Sequence, residues 1–471
     1  MVNHKRVCLV SCCSGHRNHR CDVWFFSFVF ASIVRRYSAV RRQRRIAQIK
    51  ESKKGEPSGK SSANADALKS GHNSVSVLLF DCKSNNTVDE YIASGITSEV
   101  IAHITKVAAI RVSSRATSYG FVSNQADVKE VSETLHTRYI LAGSLHHAGG
   151  RIRVIAHLYD AVQDRDIWAQ QYDREIEYIF DVQHDIAKRI VGAILGEVKM
   201  AESLMAQDTP TQQLDAWGLV QKAYFFWLSS FSPEAMLEAC ELLRKAIKID
   251  PDYATAKAAL AMILANQMTI RIAPDYDAAA KEASEVIESA FKQAPNDVDV
   301  LENAGVTWQN LGEKVKAEMA LRKVVKLTPL NLIARGYLAL FLGLTKGKAG
   351  AEEAIEIIED NLEIAPNHPS TPYWEFFKAI AEQARGNHQA AIDQANSSLI
   401  GQPGWAHNYF VIANACCELD KVEEAKTAIA SAGMINPFLT ADLYAENVNR
   451  ITGDPSMSEP FIGGLRRHNL I

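Results

Sequence analysis

The chain has 471 residues, 47% of them apolar and 23% charged, with a formal net charge of −4. That is enough chain for two or more domains of ordinary globular composition. The near-neutral balance excludes a global nucleic-acid signature.

The average conceals an asymmetry. The first 50 residues carry eleven Lys and Arg, from Lys5 to Lys50, against one acid, Asp22. Within this basic segment, 1–50, lies an apolar run of 12 residues, 23–34. A membrane-spanning helix needs about 20 such residues, and no small-residue cleavage site follows as a signal peptide would require. Basic charge continues through Arg45, so 23–45 reads either as a weak peripheral membrane anchor helped by anionic lipid or as a shortened remnant of a span. Nucleic acid is not an expected partner, because the basic tract lacks interleaved aromatics and a binding fold. The compartment stays open between the cytoplasm and a membrane surface. Cys8, Cys12, Cys13 and Cys21 cluster beside His16 and His19, but their spacing matches no zinc motif and no disulfide framework. No metal, cofactor or catalytic residue is expected anywhere in the chain.

Residues 51–73 are polar and rich in Lys, Ser and Gly, the composition of a flexible linker. Gly55 to Ser61 imitates a phosphate loop. It has three residues between its glycines instead of four, and no apolar strand feeds it, so its N–H groups would not converge on a phosphate.

From Val75 the texture is that of a small α/β domain, 74–205. A short apolar run at Val75–Phe80 predicts a buried strand. Helical spacing follows over Asp89–Lys106, then a strand at Ile110–Ser113 and a short helix at Asp127–Leu135, with Asp127 as its cap. Strands are predicted at Tyr139–Leu145, Arg151–Tyr159 and Ile167–Tyr172, the first two joined by a turn at Gly149-Gly150. A long helix is expected over Phe180–Met205. The order is βαβαβββ, with the helix-linked strands parallel and the last three an antiparallel meander. His136, His146, His147 and His157 lie near this sheet. The pair His146-His147 reads as a solvated turn, since no third ligand at fixed spacing accompanies it. Arg151 and Arg153 share one strand face, as residues of any half-exposed strand do.

The segments Gly95-Ile96-Thr97, Tyr139-Ile140-Leu141-Ala142-Gly143-Ser144-Leu145, Trp168-Ala169 with Tyr172-Asp173, and Ile179-Phe180-Asp181-Val182-Gln183 stand in an order that resembles the TolB N-terminal and FlgO-like module of bacterial signalling proteins. In that family the module precedes tetratricopeptide repeats. A class III adenylate cyclase or winged-helix domain stands ahead of it, commonly with a membrane span between. Leu79, Ser94, Ala142 and His146-His147 depart from the family pattern. The stretch before Val75 holds one acid ahead of Glu51, so the metal-binding aspartates of a cyclase are not expected there. The resemblance implies a regulatory half without its effector domain.

Residues 211–440 carry a repeat. Pro251, Pro295, Pro329, Pro366, Pro403 and Pro437 are spaced by 44, 34, 37, 37 and 34 residues, and 12 positions before each stands an alanine, from Ala239 to Ala425. Gly312 and Gly386 precede two of the prolines by 17. With Trp308-Gln309-Asn310-Leu311-Gly312 this resembles the tetratricopeptide repeat. The fold class is therefore α+β: the small α/β domain followed by an all-α superhelix of stacked helix pairs, ending in a C-terminal tail, 441–471. Each pair must stack to bury its apolar stripe. The alanine permits close approach, the glycine a positive φ, and the proline punctuates the units.

In such an array the first helix of each pair faces a concave groove. Counting from the prolines, the groove positions are Glu302, Gln309, Asn310, Tyr373, Phe376, Gln383, His407, Phe410 and Asn414. Aromatics beside amides suit capture of an extended or helical peptide. The same aromatics also suit plain packing between helices. Few Lys or Arg are expected there, which disfavours a carboxylate clamp. The expected protein is a non-catalytic interaction or regulatory protein with a protein partner in this groove, open to self-association. The alternatives are a cyclase by family association and a transcriptional regulator acting through the basic N-terminus.

Overall fold

The computed structural model describes residues 73–82, 87–106, 110–113, 121, 127–148, 150–175, 179–229, 233–270 and 275–471. The basic segment, its apolar run 23–34, the cysteine cluster and nearly all of the linker lie outside the described residues. No helix among the described residues is long and apolar enough to cross a membrane.

The α/β part follows the expected order. Strands β1 (Ser74–Val77) and β2 (Asp81–Cys82) lead to α1 (Thr87–Thr105), β3 (Arg111–Val112) and α2 (Val128–Leu135). Strands β4 (Tyr139–Ala148), β5 (Arg151–Asp160) and β6 (Arg165–Glu175) precede α3 (Ile179–Asp208). The first expected strand is thus two short ones flanking Leu79. The sheet order is β3-β1-β4-β5-β6, with β2 also on β4. The β1 pairings to β3 and β4 are parallel, and β4-β5-β6 is an antiparallel meander. Asp127 caps α2, its side chain accepting from Lys129 N.

Strand β5 shows why the sheet lies as it does. Ile152, Val154, Ala156 and Leu158 are buried while Arg151 and Arg153 are exposed, the period of two that assigns one face to the core. That face packs on α1 and α3 through Ile92, Ile96, Val100, Ile186 and Ile190. On the other face Leu78, Ile140 and Ala142 meet Val131 of α2.

The lower end of α3 is tied to the sheet by a buried ionic cluster. The Arg138 guanidinium donates to both carboxylate oxygens of Asp160, at 3.0 and 2.7 Å, and to Glu202 at 2.8 Å. Tyr139 Oη donates to Glu202 at 3.0 Å. Burial opposes the charge of Arg138, but its bonds to Asp160 and the nearby charges outweigh burial and raise its hold on the proton. A buried cation is tolerated only when partnered this completely.

The helical array begins with α4 (Ala216–Ser229) and α5 (Pro233–Ile249), followed by α6 (Ala254–Thr269) with α7 (Tyr276–Gln293), and α8 (Val298–Leu311) with α9 (Lys314–Leu327). Next come α10 (Leu332–Thr345) with α11 (Gly347–Ile364), α12 (Thr371–Arg385) with α13 (His388–Gly401), and α14 (His407–Glu418) with α15 (Val422–Ile435). Each of the six prolines stands between one pair and the next. The six alanines that set the period are fully buried, each at 0% exposure, as close helix approach demands. Gly312 and Gly386 end α8 and α12 with φ of 83° and 82°. Asp420, at the same offset before Pro437, takes φ 57° at the turn of the sixth pair. Of the cysteines outside the N-terminal cluster, Cys240, Cys416 and Cys417 are buried thiols.

Residues 441–471, expected as a tail, instead form a seventh pair: α16 (Ala441–Thr452) and α17 (Pro455–Arg467). Their apolar residues Tyr444, Val448, Ile451, Phe461, Ile462 and Leu465 are buried. The pair folds back over the inner face of the array.

Candidate functional site: the inner face of the array

The first helices of the pairs line the inside of the curve. One side is closed by α3 and the other by α16. Between them lies a cavity of about 250 Å³.

Helix α3 reaches the array because two glycines, Gly192 and Gly196, remove side chains where Ile364, Leu332 and His368 pack. Its position is fixed by Lys188 on Asp360 at 3.1 Å and by Arg189 on Glu363. Asp360 also pairs with Arg335.

Six of the nine groove positions read from the sequence line the cavity: Glu302, Gln309, Asn310, Tyr373, Phe376 and His407. Glu302 Oε2 accepts from Asn331 at 2.7 Å, and its other oxygen stands 3.7 Å from Lys199 of α3. Asn310 Nδ2 donates to Asn266 at 3.3 Å. Tyr373 Oη accepts from Gln402 at 3.1 Å. The Tyr373 and Phe376 rings both sit edge-on to Trp405. His407 stacks on Trp405 with centroids 4.9 Å apart. Burial pushes the His407 imidazole down to about 4, so it is neutral at pH 7. Among the described residues, Gln309 Oε1 and His407 Nε2 have no hydrogen-bond partner.

The other three are covered. Gln383 donates to the carbonyl of Val411 at 2.8 Å. Phe410 stacks on Tyr444, 4.8 Å between centroids. Asn414 donates to the Pro460 carbonyl and accepts from Leu465 N, holding α17 in place.

The remaining wall comes from residues the repeat pattern did not mark. Trp405 lies in the turn before α14. Tyr444 and Asn447 belong to α16, and Lys199 to α3. Lys199 carried no signal because its helix precedes the first repeat. Among the described lining residues, Lys199 and Glu302 are the only formally charged pair, so the cavity is close to neutral. Asp299 stands behind them, and burial raises its carboxyl to about 6. The sheet histidines lie elsewhere. His147 Nδ1 is 2.8 Å from the buried carboxylate of Asp89, and His157 Nδ1 is 3.0 Å from Asp166.

No family model matches the chain. A curated relative from Rhizobium meliloti (strain 1021), described as "Putative adenylate cyclase 3", is 32% identical over 190 residues, which is 40% of this chain and 32% of that protein. The chain therefore spans about a third of the length of the curated relative it matches. Among solved structures, the APC/C hetero-tetramer Cut9-Hcn1 aligns with a TM-score of 0.38 and 15% identity, over 58% of this chain and 49% of that one. A tetratricopeptide repeat protein from Parabacteroides merdae ATCC 43184 aligns with a TM-score of 0.33 and 19% identity, over 54% and 92%. The helix pairs, their period and their proline, alanine and glycine positions make the array tetratricopeptide-like.

Proposed function

We propose that this chain is a non-catalytic interaction protein that binds a protein partner at the inner face of its helical array. On this reading it corresponds to the regulatory half of bacterial signalling proteins related to adenylate cyclases. The observation that carries it is the lining of the inner face. Tyr373, Phe376, Trp405 and His407 gather there with the amides Gln309 and Asn310, aromatic anchors beside hydrogen-bonding groups. The docking of α3 on α10 and α11 supports a regulatory role, since it links the α/β part to the array.

Site-specific photocrosslinking tests this in the full chain. A benzoylphenylalanine at Tyr373, half-buried at the cavity, should crosslink a distinct partner from bacterial extract. The same group at Val315, 84% exposed on α9, should not. Equal capture from both positions would place the interaction outside the inner face.

A second reading is a companion role within a nucleotide cyclase system, favoured by the description of the Rhizobium relative. Purified chain with ATP and Mg²⁺ should form no cyclic AMP by itself. Formation of the cyclic product would establish catalysis and displace the first reading.

A further inference from the structure

Helices α1 and α3 lie side by side on the sheet. Glu99 and His103 stand one turn apart on α1, so the helical period places them on one face. His184 comes to meet them from the start of α3. Glu99 Oε2 is 3.5 Å from His103 Nε2 and 3.5 Å from His184 Nδ1. The three ligand atoms all lie within 4.8 Å of one another.

These separations are too long for good hydrogen bonds, which fall near about 3 Å. The two separations from Glu99 are instead close to those between neighbouring ligand atoms of a metal ion. Bonds of about 2.1 Å from a tetrahedral metal to imidazole nitrogen and carboxylate oxygen set neighbouring ligand atoms about 3.4 Å apart. Among the described residues, His103 Nε2 has no hydrogen-bond partner. The nearby Lys188 is engaged by Asp360 at 3.1 Å.

We propose that Glu99, His103 and His184 bind one divalent transition-metal ion of the zinc type, with three protein ligands and an open fourth position for water. Such a donor set suits zinc or cobalt over calcium or magnesium, which take oxygen ligands. The ion bridges α1 and α3, and so clamps the helix layer of the sheet to the helix that docks on the array.

The test uses the full chain, stripped with chelator and titrated with Co²⁺ in the visible range, then with Zn²⁺ as competitor. One equivalent of Co²⁺ should give a d–d band without thiolate charge-transfer absorption, displaced by Zn²⁺. His184, 60% exposed at its side chain, can be replaced without disturbing the core. His184→Ala should weaken Co²⁺ binding at least tenfold, and Glu99→Gln should do the same. Zn²⁺ should raise the melting temperature of the stripped protein and leave that of His184→Ala unchanged. Thiolate bands that persist in both variants would locate the metal at the N-terminal cysteines and overturn the proposal. Absence of any one-equivalent band would overturn it as well.

Discussion

Asn447 Nδ2 donates to the carbonyl of Thr269 at 2.6 Å, joining residues 178 apart in sequence. Asn436 does the same for Ile270 at 2.8 Å. Both acceptors sit at the end of α6, where the last carbonyls of a helix have no partner within it. Asn447 of the last helix pair and Asn436, just after α15, thus cap α6, and Lys314 of α9 holds the last pair in turn by donating to Thr452 O at 2.7 Å. Asn447→Ala leaves a buried carbonyl unsatisfied and should cost about 1–2 kcal/mol, read as a lower urea midpoint at unchanged slope. A variant as stable as the parent would mean that the α16 contact does not persist in solution.

A pair of glycines separates closure from local turn geometry. Gly312 and Gly386 both end a helix at φ near 80°. A Cβ at Gly386 meets nothing within 4 Å, whereas at Gly312 it stands 2.9 Å from the carbonyl oxygen of Arg450 on α16. Alanine at either position carries the left-handed strain, about 1 kcal/mol. Gly312→Ala should lose about 1 kcal/mol more than Gly386→Ala, because it also pushes α16 away. Equal losses in thermal unfolding would argue against α16 lying where it does.

The repeat was legible because its constraints are local and periodic. A proline between pairs and a fully buried alanine 12 residues earlier recur whatever the surroundings. The order of strands and helices along the chain was legible from the switch between periods of two and 3.6. The last pair was not, because Gly453, Pro455, Pro460, Gly463 and Gly464 weaken any local helix signal. It forms through packing of Phe461, Ile462 and Leu465, an effect of tertiary structure. Glu99, His103 and His184 were equally invisible, since their grouping depends on two helices whose separation in sequence carries no spacing rule. Six of the groove positions did fall together from register alone, while Trp405, Tyr444 and Lys199 joined them from a turn, the last pair and a helix outside the array.

Gly196 offers a test in which propensity and packing disagree in sign. In an isolated helix, glycine to alanine gains about 1 kcal/mol. Here the added Cβ lands on the His368 ring, which is stacked on Trp374 with centroids 4.7 Å apart and cannot easily yield. Gly196→Ala should therefore lower stability by about 1–3 kcal/mol. Adding His368→Ala should recover part of that loss, a positive coupling in a double-mutant cycle. Stabilisation by the single variant would mean that α3 does not dock on the array.

The pH dependence follows from two buried histidines and the half-buried Asp299, with opposing signs. Burial lowers His368 and His407 from the usual 6.5 to about 4. A base whose folded pKa is depressed contributes stability above its unfolded value and loses it as pH falls from 6.5 towards 4. Asp299 goes the other way. Burial raises it from 3.8 to about 6, so its ionised form costs the folded state above that pH, and the cost disappears below the unfolded value. Between pH 7.5 and pH 5 each histidine should remove about 2 kcal/mol, and Asp299 should return about 1 kcal/mol. The comparison with single variants isolates each group from the rest of the titration. His407→Gln should flatten the fall of the urea midpoint between pH 7 and 5. Asp299→Asn should be more stable than the parent by about 3 kcal/mol at pH 7.5 and within about 0.5 kcal/mol of it at pH 4. If Asp299→Asn tracks the parent at every pH, the carboxyl is solvated and the charge pair of Lys199 with Glu302 lies open to water.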